Sequence, residues 1–215
     1  YNGIRVDRVS KELLQRMKEA GCVFIAYGIE SGNREVLRRM KKGITPEQIE
    51  QAIKWTSEVG IENRGSCIVG HPGDTFERFM ETVKFVKGLP TGFVNFFNII
   101  PYPGTEVHKW VKNNAKLLYP EDVYLNEFEK GQEEPIFETD DFPLSQRKAA
   151  IKMARRLYKK LILQHNLGKK LGYLAYQAAK IPLLWKIGCG IFKGSRSGTK
   201  IFSWFLKRRN IKTTW

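Results

Sequence analysis

The sequence predicts an α/β chain: a partial barrel of βα units, about four of them, followed by a helical and strongly basic C-terminal tail. Three observations carry this. From residue 1 to about 113, apolar strand-like runs alternate with amphipathic segments and turn signals, which is the pattern of a parallel sheet. The order helix, glycine, strand, glycine-bearing loop occurs at Glu19 to Gly32 and again at Glu58 to Gly73, a spacing of about 40 residues that successive barrel units require. The charge balance then changes abruptly. Residues 145–215 hold 18 of the 37 Lys and Arg and no Asp or Glu, leaving 19 basic against 22 acidic residues before them.

The elements follow in order. Tyr1 to Val6 reads as a strand already in progress. Ser10 is placed to cap a helix over about 11–20 whose apolar face carries Leu13, Leu14, Met17 and Ala20, with Gly21 as its stop. A strand Cys22 to Ile29 comes next, then a short helix Glu35 to Lys41. Thr45-Pro46-Glu47-Gln48 has the form of a capping box with proline at the first helical position, and Ile49, Ala52, Ile53, Thr56 and Val59 give that helix its inward stripe. A strand over Glu62 to Val69 leads into the turn Gly70-His71-Pro72-Gly73, after which Asp74 and Glu77 suggest a second capping box for a helix to about Lys87. The last strand is Phe93 to Ile100. The strands are nearly continuous in apolar character, which suits burial on both faces.

Residues 114–144 break the rhythm with acids, prolines and aromatics and read as an irregular connector. Ser145 is then expected to cap a long helix to about His165, with Ala150, Ala154, Leu157, Leu161 and Ile162 on its apolar side. This divides the chain into a barrel portion over 1–113, a connector over 114–144 and a basic helical tail over 145–215. Cys22, Cys67 and Cys189 are odd in number and far apart, which argues against a disulfide framework and for a reducing cytoplasm. No apolar stretch approaches the roughly 20 residues that span a membrane.

In barrels of this kind, chemistry sits where the strands run out. There are three such exits. At Gly28-Ile29-Glu30-Ser31-Gly32-Asn33, Glu30 can accept hydrogen bonds from an amine or a ribose hydroxyl. The plainer alternative is that Ser31 or Asn33 caps the following helix and Glu30 complements its dipole. At the second exit, Gly70 and Gly73 permit close backbone approach to a ligand, and Arg64, earlier on that strand, can pair with a carboxylate. A simple turn and a solvated arginine remain the alternative there, and His71 is expected to be exposed. The third exit, Ile100-Pro101-Tyr102-Pro103-Gly104-Thr105-Glu106, is a rigid turn into a helix that Thr105 is placed to cap.

In this order and spacing, the runs Gly28-Ile29-Glu30-Ser31-Gly32, Lys42-Gly43-Ile44-Thr45, Ile68-Val69-Gly70-His71-Pro72-Gly73-Asp74-Thr75 and Pro101-Tyr102-Pro103-Gly104-Thr105-Glu106 resemble the second half of the radical S-adenosylmethionine (SAM) superfamily. The likeness is nearest to the branch that often carries a cobalamin-binding domain, exemplified by the anaerobic magnesium-protoporphyrin ester cyclase. The resemblance implies the third to sixth units of a six-unit partial barrel. It implies an enzyme that uses SAM and a 4Fe–4S cluster, with cobalamin as an added cofactor of the branch, for radical methyl transfer, cyclisation or rearrangement of a small molecule. It places Glu30 and Ser31 near the cofactor's ribose and amino group, the Ile68 to Gly70 loop and Pro101 around it, and Arg64 near the methionyl carboxylate. Ser66 and Asp74 depart mildly from the family pattern, which usually has Gly and Glu there. The family's CxxxCxxC loop cannot be drawn from these three cysteines, so the resemblance implies cluster ligands upstream of Tyr1 and a segment that is inactive alone.

The tail suggests an anionic partner. Over 167–215 lysines and arginines mix with Trp185, Phe192, Phe202, Trp204 and Phe205, a composition suited to peripheral contact with the inner face of a membrane, with RNA as the competing partner. Two other readings stand beside the resemblance: an ordinary βα barrel that binds a phosphorylated metabolite, and a non-catalytic adaptor docked through its tail.

Overall fold

The computed structural model describes residues 3–126 and 134–181. The chain forms two compact units, Tyr1–Leu161 and Ile162–Trp215. In the first, α1 (Lys11–Glu19), β1 (Phe24–Glu30), α2 (Arg34–Arg39), α3 (Pro46–Glu58), β2 (Glu62–Val69), α4 (Phe76–Gly88) and β3 (Phe93–Asn98) succeed one another as the alternation predicts. The strands form one parallel sheet in the order β1-β2-β3, so each crossover runs through helix to the adjacent strand. Of the strand expected over Tyr1 to Val6, the described residues show an isolated parallel bridge from Ile4 to Tyr27, on the other side of β1 from β2, and Val6–Arg8 is a 3-10 helix instead.

Local chemistry fixes the helix starts. The hydroxyls of Ser10 and Thr105 and the side-chain oxygen of Asn33 accept the backbone N–H three residues on. Thr45 and Gln48 complete their capping box. Two expectations are corrected. The helix after the second exit is capped by Thr75 and not by Asp74, whose carboxylate is engaged in the loop itself. The long helix begins at Leu144, so Ser145 lies inside it; the Leu144 N–H is accepted instead by the Glu138 carboxylate at 2.9 Å.

Burial also differs from the expectation of strands covered on both faces. Ile25, Tyr27 and Ile29 of β1 and Asn63, Gly65, Cys67 and Val69 of β2 are buried, while the residues that alternate with them are half-buried. Helices supply the covered face: Ile49, Ala52 and Ile53 from α3 and Phe79, Val83 and Val86 from α4 join one core with these strands. The Tyr27 hydroxyl reaches Thr56 at 2.7 Å, which satisfies both buried groups. A Cβ on Gly65 would lie 2.4 Å from Ile29 Cδ1, so β2 is glycine where β1 presses closest. The opposite face carries Gly28, Glu30, Ser66 and Ile68.

The stretch after β3 is more ordered than a bare connector. α5 (Glu106–Asn114), β4 (Lys116–Leu117), α6 (Glu121–Asn126) and β5 (Phe137–Glu138) enclose a second small core of Ile100, Val111, Tyr124, Ile136 and Phe137. β4 and β5 pair antiparallel. α7 (Leu144–Leu167) follows, and its Ala150, Ile151, Ala154 and Leu157 join the main core. In the second unit, α8 (Lys169–Ala178) turns back after Gly168, and Gly172 packs against the backbone of Leu163 and Gln164. Leu171, Tyr173 and Leu174 of α8 are exposed. Among the described residues no helix is long and apolar enough to cross a membrane. Cys189 and the aromatic and basic residues beyond 181 on which the tail's expectations rest lie outside the described residues.

Candidate functional site

The site is built where β1 and β2 end. Along β1 and β2 the register advances residue for residue from Phe24 opposite Glu62 to Gly28 opposite Ser66, then slips, so that Glu30 stands opposite Cys67. This is a β-bulge of one extra residue, a device that turns a side chain off its regular course. Glu30 adopts φ +60°, a left-handed conformation that a non-glycine residue holds at a cost of about 1–3 kcal/mol. Its carboxylate folds back over Gly28 and meets the Lys42 ammonium at 2.7 Å. A Cβ on Gly28 would sit 2.6 Å from Glu30 Oε1 and 3.2 Å from Lys42 Nζ, so glycine makes the room for this pair.

Ser31 follows but turns inward. It is 2% exposed; its hydroxyl pairs with Thr82 at 2.9 Å and accepts the Asn33 N–H at 3.1 Å. The Thr82 hydroxyl oxygen also accepts the Gly32 N–H at 3.0 Å. Gly32 is pressed against Phe85 of α4, 2.5 Å from where a Cβ would lie. Ser31 and Gly32 thus fix the loop to α4, and Asn33 rather than Ser31 caps α2.

The second exit is a closed turn. The Asp74 N–H donates to the His71 carbonyl at 2.8 Å, and the Asp74 carboxylate accepts from Gly70 N–H at 2.9 Å and Thr75 N–H at 3.0 Å. Burial pushes the Asp74 carboxyl up to about 6 against those N–H groups and the charges of Arg147 and Arg78, which pull the other way. His71 is buried, contrary to expectation, with Nδ1 3.0 Å from the Pro72 carbonyl. Burial lowers its proton affinity, while the nearby Glu30 carboxylate raises it, which ties the two exits together electrostatically. Gly73 lies under the Arg39 side chain, and its carbonyl accepts from Arg78.

The structure brings Glu30, Ser31 and Gly70 to one end of the sheet. Ile68 is on the half-buried face of β2 just before Gly70, opposite Phe97. Pro101, after β3, is buried, and its carbonyl accepts from the Tyr124 hydroxyl at 3.1 Å. Arg64 is not gathered with them. As the third residue of β2 it lies at the entering end of the strand, about 20 Å of extended chain from Gly70. Its guanidinium pairs with Glu62 at 2.7 Å and lies over the rings of Phe24 and Phe93, at 4.5 and 4.9 Å. Two residues went unassigned in the sequence: Lys42, which partners Glu30, and Arg147 of α7, which reaches the Gly70 carbonyl at 3.1 Å. Lys42 was visible in the Lys-Gly-Ile-Thr run, whereas nothing local marks Arg147.

The donor set at this end suits a ligand with cationic and hydroxyl groups: a carboxylate on a bulge, and backbone carried close by glycines. It does not suit an iron–sulfur cluster. Cys67 is fully buried with its thiol pushed well up by burial, and among the described residues no three of His, Cys, Asp and Glu converge.

Part of the chain matches a known family model. Residues 1–86 match the model of the radical SAM superfamily. The chain is 37% identical over 114 residues to an uncharacterized methyltransferase of Pyrococcus horikoshii, covering 53% of this chain and 25% of that protein. It is 35% identical over 119 residues to a putative methylthiotransferase of Methanocaldococcus jannaschii, covering 54% and 26%. The chain thus spans about a quarter of the length of these relatives. Among solved structures, coproporphyrinogen III oxidase of Escherichia coli, a radical SAM enzyme, aligns at TM-score 0.49 and 19% identity over 70% of this chain and 29% of that one.

Proposed function

We propose that the chain is a segment of a radical SAM enzyme and that it binds SAM across the ends of β1 and β2, as part of an enzyme that transfers a methyl or methylthio group. The observation that carries the reading is the bulge at Glu30. A carboxylate held in a strained backbone conformation, over a glycine and beside the Gly70 loop, is a cost that folding alone does not call for. The methyltransferase and methylthiotransferase names of the relatives support the transfer chemistry.

In this reading Glu30 accepts from the ligand's amino or ribose groups, Lys42 holds the carboxylate in place, and Ser31 and Gly32 anchor the loop to α4. Ile68 and the Gly70 backbone form the wall beside it, with Pro101 at the margin. Bound SAM with its cluster would supply radical chemistry, and the residues described here would hold and orient the SAM. The cluster's thiolates are not among residues 1–215, which hold no CxxxCxxC. The part of this reading that rests on the described residues is SAM binding. Equilibrium dialysis with labelled SAM tests it: the protein retains SAM, Glu30→Gln weakens retention about tenfold, and Arg64→Met leaves it unchanged. Retention unaffected by Glu30→Gln defeats the proposal.

A further inference from the structure

The geometry points to Arg147 as a positioning residue for the cofactor-facing loop Gly70–Asp74, supplied by a helix that lies outside the family-matching residues 1–86. The inference rests on the SAM reading above and deepens it.

Arg147 is 2% exposed, an uncommon place for a cation. Its burial is compensated on every side. Nη1 donates to the Gly70 carbonyl at 3.1 Å and Nε to the Phe142 carbonyl at 2.8 Å. The guanidinium carbon lies 4.4 Å from the centroid of the Phe137 ring and 4.8 Å from that of Phe142. Asp74 and Glu138 supply the balancing charge. A flexible ammonium cannot reproduce two directed bonds and two stacked faces.

The consequence falls on Gly70. Its N–H is held by Asp74 and its carbonyl by Arg147, so both ends of one residue are fixed from opposite sides. Gly70 has φ +85°, and a Cβ there would lie 2.4 Å from Arg147 Nη1. The guanidinium therefore occupies the space that glycine leaves, and the loop's outline on the ligand side is set by α7. Asp74 and Arg147 act as a pair of jaws on the loop, and the start of α7 is part of the binding pocket without touching the ligand.

The test compares the protein with its Arg147→Lys, Arg147→Met and Asp74→Asn variants, using Lys152→Met as a control on the same helix. Amide hydrogen exchange is read without ligand, and SAM affinity by equilibrium dialysis. Arg147→Met and Arg147→Lys are expected to raise exchange in peptides covering 70–74 about tenfold while peptides of β1 and α3 keep wild-type exchange, and to weaken SAM about tenfold. Asp74→Asn should loosen the same peptides, and Lys152→Met should change neither readout. Should Arg147→Met fail to fold, Arg147→Lys, which keeps the charge, decides. Wild-type loop protection and affinity in Arg147→Lys overturn the inference. If the wild-type protein itself retains no SAM, the SAM reading fails, and loop exchange alone then judges the role of Arg147.

Discussion

The carboxylate of Glu30 and the ammonium of Lys42 stand 2.7 Å apart over the bare α-carbon of Gly28, at the point where β1 slips register against β2. The pair is mostly shielded, with the two side chains 14% and 29% exposed, so salt screens it less than a surface contact. It also holds a backbone that would rather be glycine. Glu30→Gly therefore removes a charge pair and relieves strain together, two effects of about 1 kcal/mol that oppose one another. Urea unfolding should find this variant within about 1 kcal/mol of wild type while SAM retention is lost. A loss of several kcal/mol would mean that Glu30 serves the fold.

Gly32 has no such latitude. A methyl group there would meet Cβ of Phe85 at 2.5 Å and Cγ at 2.8 Å, atoms near the root of a side chain that cannot swing away. Gly32→Ala should lower stability by about 1–3 kcal/mol, seen as a fall in the urea midpoint with an unchanged slope.

The Ser31 and Thr82 hydroxyls are both buried and bonded to each other. Removing Ser31 leaves the Asn33 N–H without its acceptor, and removing Thr82 leaves the Gly32 N–H without its own, at about 1–3 kcal/mol each. In a double-mutant cycle of Ser31→Ala and Thr82→Ala, the double variant should lose less than the sum of the singles by at least about 0.5 kcal/mol. Strict additivity would show that the two do not act together.

Asp74 gives the protein a pH dependence with an unusual sign. Its carboxyl is raised to about 6 from 3.8, chiefly by burial, so the folded state holds the proton more tightly than the unfolded chain. Its contribution to stability is therefore fully present below about 3.8 and is lost as pH rises through about 6. The size is about 3 kcal/mol. Carboxylates lowered by ion pairs, such as Glu35 beside Arg38 and Arg39, act in the opposite sense. Asp74→Asn isolates the effect: wild type relative to this variant should lose stability between about pH 4 and 6 and level off above. A pH-independent difference would contradict the assignment.

Much of this was legible because it is local. Ser10, Thr45 and Thr105 cap the helices that their spacing announces, and Ile49, Ala52 and Ile53 bury the stripe that a helical period predicts. The Glu30 and Gly70 loops stood out because glycines and polar residues follow apolar strands. What was missed depends on chain far away. Asp74 mimics a cap, since Asp74 and Glu77 have the right spacing, but the Gly70 N–H claims its carboxylate and the cap passes to Thr75. The bulge is a property of two strands in register, and one strand's sequence does not encode it. Arg147 is indistinguishable in composition from exposed Lys148 and Lys152 beside it; its burial is decided by a carbonyl 77 residues earlier. Arg64 shows the converse: a strand's residue types do not say at which end of the sheet a side chain lies, and its guanidinium is taken up by Glu62, Phe24 and Phe93 at the entering end.

The exits of β1 and β2 together form the proposed SAM site. Amide hydrogen exchange with and without SAM tests it most directly. Ligand protection is expected in peptides spanning 28–32 and 68–74, with none at 62–64. Protection confined to other segments, or spread over the entering ends of the strands, would contradict it.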